Sequence, residues 1–163
     1  MDGTVEQIGD LFVLRFERRL NHPVENVWAA LTEPEQLVQW LAAAKIEPSE
    51  GGDFVLDFDN TGHRQAGRVI TWDPPRLIEH TFGDDANGVV RWELHPDDGG
   101  CLLRMSHTVY STAEMANFLS GWHTHLDLFV DLLNGNPAPW RWDVWEAHRD
   151  RYAKRVEAEI DER

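Results

Sequence analysis

Disulfides are the first thing this sequence does without: Cys101 is its only cysteine, so no internal bridge staples the fold and stability has to come from a buried core. Positive charge is scarce as well. Against 29 Asp and Glu stand 15 Lys and Arg, giving a formal net charge of −14, with the acidic residues spread along the chain. Such a surface repels phosphate backbones and anionic lipid, which argues against a nucleic-acid partner. The N-terminal stretch MDGTVEQIGDLFVLRFERRL has neither a basic start with an apolar core nor a spanning run, so the expected location is the cytoplasm, without membrane insertion. There is no GxSxG elbow, no P-loop and no dinucleotide-binding glycine run, and PDDGG at 96–100 reads as a hairpin turn. No cofactor is expected, and without a recognisable catalytic motif the chain leans away from being an enzyme.

What the sequence does have is a large aromatic load to bury. Its 163 residues are 42% hydrophobic and include eight tryptophans, which fits one globular domain over 1–163. LFVLRFERRL at 11–20 reads as a strand, and VENVWAALT follows with Val24, Val27, Trp28 and Leu31 at helical spacing. Pro34 opens a second short helix, PEQLVQWLA, at a first-turn position where its missing N–H costs nothing. From 45 to 111 the period changes to two. FVLDFD, RQAGRVITWD, RLIEHTFG, GVVRWELHP and CLLRMSHTVY are separated by turn clusters DPP, GDDANG and PDDGG, so an antiparallel meander is expected. Alternation puts Phe54, Leu56 and Phe58 on one face and Val55, Asp57 and Asp59 on the other. The same face continues through Ile78, His80 and Phe82, then Val90, Trp92 and Leu94, then Leu103, Met105, His107 and Val109. Thr112 is placed to cap a long helix over about 112–134, closed by Gly135. On it Met115, Phe118, Leu119, Trp122, Leu126, Phe129 and Leu133 form one stripe. After the connector NPAPWRWD, Trp145, His148, Tyr152, Val156 and Ile160 mark a further helix over about 143–160 that docks on its own domain.

The stretches FERRLNHPVENVWAALTEPEQLVQWL, GRVITWDPPRLIEHTF, VVRWELHPDDGGCLLRMSHT and GWHTHLDLFVDLL, spanning roughly 11–134, resemble the START-like, or SRPBCC, superfamily. Within it the match is to the bacterial family similar to the activator of the heat-shock protein 90 ATPase, often grouped with polyketide cyclases. The resemblance implies an α+β helix-grip fold: a seven-stranded curved antiparallel sheet wrapped around the long helix, with two short helices after the first strand; beyond it, 136–163 form a C-terminal extension, docked on the core, that holds the extra helix. It also implies a cavity between sheet and helix for a small hydrophobic or aromatic molecule. The eukaryotic co-chaperone activators carry a separate N-terminal domain that these residues lack, so a chaperone partner is not expected to follow from the family.

The inward face then nominates Phe54, Phe58, Phe82, Trp92, Met105, His107, Trp122 and His125 as ligand contacts, apolar walls with a few polar anchors. Trp92 and Trp122 are expected to face each other across the grip. His80, His107 and His125 are the candidates for acid–base chemistry in an alternative, cyclase- or hydrolase-type reading; a co-chaperone-like interaction module is the other alternative. His123 and His125 stand about 200° apart on a helix and cannot grip one metal together. His123 is expected on the flank nearer solvent, and no metal site is assigned because no Cys, Asp or Glu accompanies the inward histidines. Cys101 is read as a small structural residue rather than a nucleophile. Trp140, Trp142 and Trp145 are expected to pin the extension to the domain, or, as an exposed patch, to form a homodimer surface.

Overall fold

A strand that buries one face needs a partner for each backbone edge and a layer over its apolar side, and both are met here by a single antiparallel sheet. The computed structural model describes residues 1–83 and 88–161, the side chains of 160 and 161 excepted. The elements run β1 (Thr4–Ile8), β2 (Leu11–Leu20), α1 (Val24–Thr32), α2 (Pro34–Trp40), β3 (Ala43–Ile46), β4 (Asp53–Phe58), β5 (His63–Asp73), β6 (Leu77–Thr81), β7 (Val89–Asp97), β8 (Gly100–Val109), α3 (Met115–Leu133) and α4 (Trp142–Asp161). Sheet order is β1-β2-β8-β7-β6-β5-β4-β3. Strands β3 to β8 form the meander, and β8 returns to pair with β2, Phe12 opposite Val109 and Leu20 opposite Cys101.

The sheet has eight strands where seven are expected. The additional strand is β1, TVEQI, which is mostly exposed and pairs with β2 from Thr4–Arg15 to Ile8–Leu11. Its backbone bonds and the Arg15–Glu6 ion pair at 2.9 Å hold it with Val5 alone packed against the core, so hydrophobic alternation gives no sign of it. Elsewhere the alternation is obeyed. Ile78, His80, Phe82, Val90, Trp92, Leu94, Leu103, Met105, His107 and Val109 are all buried. Val55, assigned to the outer face of its strand, is buried too. Residues 84–87 of the GDDANG turn lie outside the described residues.

Helix α3 begins at Met115 behind Glu114, without a side-chain cap, so Thr112 contributes only its carbonyl, to the Met115 N–H at 3.2 Å. At the other end Gly135 takes φ of 81° and donates to the Leu132 carbonyl at 3.0 Å, the left-handed closure that glycine permits. Met115, Leu119, Trp122, Leu126 and Phe129 are buried against the sheet and α2, with Phe118 and Leu133 half-buried at the stripe's edges.

The opposite side of α3 is covered by α4. Tyr152 is fully buried and Val156 nearly so, while the side chain of Ile160 lies outside the described residues. This docking corrects the placement of His123: it is 6% exposed, because the α4 face closes over the flank that an isolated grip helix would leave in solvent. The Tyr152 hydroxyl accepts the Gly3 N–H at 2.8 Å and lies 2.7 Å from His123 Nδ1. Arg151 grips Asp2 through both guanidinium-to-carboxylate contacts, at 2.8 and 3.1 Å, and Arg155 bonds the Gly3 carbonyl. The N-terminal residues, α3 and α4 thus meet at one phenol. Replacing it, Tyr152→Phe, strands a buried N–H and a buried imidazole nitrogen at a cost of about 1–3 kcal/mol. A melting curve should show a fall of several degrees with unchanged secondary structure by circular dichroism.

Candidate functional site

The inward aromatic residues do two different things. Deep in the grip they fill it. Trp40, held by its indole N–H to the Ala30 carbonyl at 2.8 Å, packs on Phe129 at 4.6 Å and on Trp92 at 6.0 Å between ring centroids. Trp92 meets Trp122 edge-on at 5.6 Å. The two tryptophans do face each other as the sequence suggests, but in direct contact, with no space for a ligand between them. Phe54 lies flat on His80 at 3.7 Å, and Met105 is buried in the same packing.

Toward the mouth of the grip the rings separate and leave a cavity of about 580 Å³. Phe58 of β4, Phe82 just beyond β6, and Phe118, Trp122 and His125 of α3 form its inner wall; Asn60, Thr61, His63 and Gln65 of the β4–β5 hairpin form its rim. Trp140, Trp142 and Trp145 close the outer side. Their rings touch in series, Trp140 to Trp142 at 5.3 Å and Trp142 to Trp145 at 5.4 Å. They do more than pin the extension, therefore: the segment from 137 to 139, kept extended by Pro137 and Pro139, carries them across to make a wall. A second space of about 160 Å³ lies behind, bordered by Trp40, Asp57, Asp59 and Pro139, and shares Asn60, His125 and Trp140 with the first.

Of the eight nominated contacts, Phe58, Phe82, Trp122 and His125 line the larger cavity, whereas Phe54, Trp92, Met105 and His107 lie in the filled interior. Sequence spacing alone assigns the tryptophans of the extension and Phe118 to packing, whereas here they line the cavity. Gly121 is the lining residue with a sequence signal of its own, because a glycine inside a long helix costs about 1 kcal/mol relative to alanine and so marks either close approach or open space. Here it is space: a Cβ at Gly121 would meet only Trp145 Nε1, at 4.0 Å.

Hydrogen bonds sort the three inward histidines. His80 Nδ1 faces the Thr81 carbonyl at 3.0 Å and must carry the proton; its Nε2 accepts from the Trp92 indole at 3.2 Å. Both nitrogens are used, and burial pushes its pKa down to about 4. His107 Nδ1 accepts from the Trp122 indole at 3.0 Å. His125 Nδ1 faces the Trp40 carbonyl at 2.9 Å, so it is the donor and Nε2 bears the lone pair. Burial lowers the His125 pKa to about 4, so at neutral pH the ring is an uncharged hydrogen-bond acceptor in the cavity wall. Cys101 is buried, and burial raises its thiol pKa, as suits an inert residue.

A second histidine group stands on the far side of α3. His123, Asp127 and His148 bring ligand-type atoms within 4.8 Å of one another, an i, i+4 pair joined by α4 that neither helix signals alone. Arg151 donates to His148 Nδ1 at 3.0 Å, and burial, with His148, Arg18 and Arg151 nearby, lowers the His123 pKa to about 3. The flanking guanidinium groups oppose a further cation, and the cluster acts as the hydrogen-bonded seam between α3 and α4.

The family model for the activator of Hsp90 ATPase homolog 1-like proteins matches residues 21–134. The chain belongs to that family. Its fold is shared with CalU16 from Micromonospora echinospora, at a TM-score of 0.76 and 23% identity over 94% of this chain and 95% of that one. The Bordetella parapertussis protein encoded by BPP1335 superposes at 0.75 with 27% identity, covering 88% and 85%. DynU16, a protein of the dynemicin biosynthetic locus, superposes at 0.69 with 23% identity, covering 79% of this chain and 51% of that one. These likenesses establish the helix-grip architecture. No curated protein matches the sequence significantly. Among the described residues no helix is long and apolar enough to cross a membrane.

The neutral histidines give this family member a defined response to acid. His80, His123 and His125 have folded-state pKa values of about 4, 3 and 4, below the ordinary value near 6.5 that applies in the unfolded chain. Between about pH 6.5 and 4 the unfolded chain therefore binds more protons, and stability falls as pH falls through that window. Thermal melts from pH 7 to pH 4 should show the melting temperature dropping from about pH 6.5, above the carboxylate range; a flat profile down to pH 5 would contradict the buried neutral state.

Proposed function

We propose that this protein binds a small, flat, hydrophobic or aromatic molecule in the cavity at the mouth of the grip. The observation that carries the reading is the wall itself: phenylalanines and tryptophans from β4, β6, α3 and the C-terminal extension surround about 580 Å³. That volume lies within the range of small-molecule sites, and walls of this kind bury most of a ligand's surface while a few polar groups orient it. Residues that served only to close the core would pack into the space, as Trp40, Trp92 and Phe129 do deeper in. A structural neighbour drawn from a biosynthetic locus is in keeping with a small-molecule ligand.

A histidine-assisted reaction is the second reading, and it narrows to His125, since His80 has both nitrogens engaged and His107 is fully buried in the filled interior, away from the cavity. An imidazole whose pKa is held near 4 is poorly matched to proton abstraction at neutral pH but well suited to accept a hydrogen bond. Binding is therefore favoured over turnover.

Gly121→Leu separates a ligand site from mere packing. The new side chain enters the cavity, and leucine is the better helix former, so the melting temperature should hold or rise while affinity for hydrophobic probes falls at least tenfold. The measurement is a tryptophan-fluorescence titration with the neutral probes N-phenyl-1-naphthylamine and naphthalene, wild type against variant. Equal affinity in the two proteins would place binding elsewhere.

A further inference from the structure

Three residues border both cavities: Asn60, His125 and Trp140. Each carries a hydrogen-bonding group. His125 spends its one N–H on the Trp40 carbonyl, which leaves Nε2 as an acceptor. The Trp140 indole Nε1 and the Asn60 Oδ1 are buried and have no hydrogen-bond partner. An indole N–H can only donate, an amide oxygen and an unprotonated imidazole nitrogen can only accept, and leaving such groups unpaired is costly. Trp140 lies over the His125 ring with centroids 4.6 Å apart, which puts the two side chains at one corner of the site.

Building on the binding reading above, we propose that the ligand is a hydroxylated aromatic molecule, its rings against the Phe and Trp walls and its hydroxyl at the Asn60–His125–Trp140 corner. The hydroxyl donates to His125 Nε2 and accepts from Trp140 Nε1–H, with the Asn60 carboxamide beside it. A hydroxyl is the smallest group that does both from one atom. A carboxylate only accepts, and would set its charge against the lone pairs of His125 and Asn60 and against Glu114, Asp57 and Asp59, which also border the two spaces. An ammonium group only donates, and would leave the indole N–H unpaired.

The test uses one ring system with different substituents. Isothermal titration of the full-length protein with 2-naphthol, naphthalene and 2-naphthoate at pH 7.5 should give 2-naphthol about tenfold tighter than naphthalene, the gain expected from one or two net hydrogen bonds, and 2-naphthoate weaker than 2-naphthol. In Trp140→Phe, which keeps a ring but removes the donor, the ratio of 2-naphthol to naphthalene affinity should shrink severalfold, whatever change the altered wall makes to both ligands. His125→Asn, whose amide keeps a donor for the Trp40 carbonyl but leaves no atom at the Nε2 position, should behave likewise, with folding checked by its melting curve. Equal affinity for 2-naphthol and naphthalene in the wild type would overturn the hydroxyl assignment and leave the apolar binding reading standing. A preference that survives undiminished in both variants would place the hydroxyl at another corner and overturn the assignment too. If none of the three binds, the binding reading itself fails and this inference falls with it.

Discussion

The hydrogen bond from His125 Nδ1 to the Trp40 carbonyl, 2.9 Å long and 85 positions apart in sequence, is the contact on which the site depends. It ties the middle of α3 to the end of α2, and so sets how closely the helix sits on the short helices that follow β2. It also fixes the imidazole tautomer. A carbonyl accepts and never donates, so the proton is committed to Nδ1 and the lone pair to Nε2. The residue that supplies the carbonyl is itself immobilised, by its indole N–H on Ala30 and by packing on Phe129 and Trp92. One backbone oxygen thereby decides both helix placement and the electronic character of the cavity wall.

The rest of the arrangement is a division of aromatic residues by depth. Close-packed interiors leave few voids larger than a water molecule, and the deep grip obeys this, with the indole N–H groups of Trp92 and Trp122 spent on His80 and His107. These pairings let two histidines lie in an apolar core without charge, because each accepts what a neighbouring tryptophan has to give. At the mouth the rule changes. The rings there contact one another in a line along Trp140, Trp142 and Trp145 rather than in a filled cluster, and Gly121 withholds the side chain that would close the gap.

How much of this could be read in advance follows from the range of the forces involved. Period-two alternation located the inner face from Ile78 to Val109, because each of those side chains answers only to its own strand's pleat. The α3 stripe and its Gly135 closure are local in the same sense. His123 was misplaced because its burial depends on α4, a helix some twenty residues further along, and periodicity on α3 cannot say what covers its second face. The cavity was set too deep for a related reason: whether Trp92 and Met105 enclose space or fill it depends on the sizes of Trp40 and Phe129, which arrive from other elements. Strand β1 left no trace because backbone pairing, rather than side-chain pattern, holds it in the sheet.

The division between residues 21–134, which match the family, and the tryptophans at 140, 142 and 145, which lie beyond that match, runs through the middle of the cavity. One wall lies inside the matched stretch and the facing wall lies outside it. That facing wall hangs on a proline-stiffened strap, and its last tryptophan stands on α4, whose Tyr152 and Val156 belong to the core. On the proposed binding reading, selectivity is divided between the two walls, and a change in the strap alters what the cavity admits while the grip keeps its architecture.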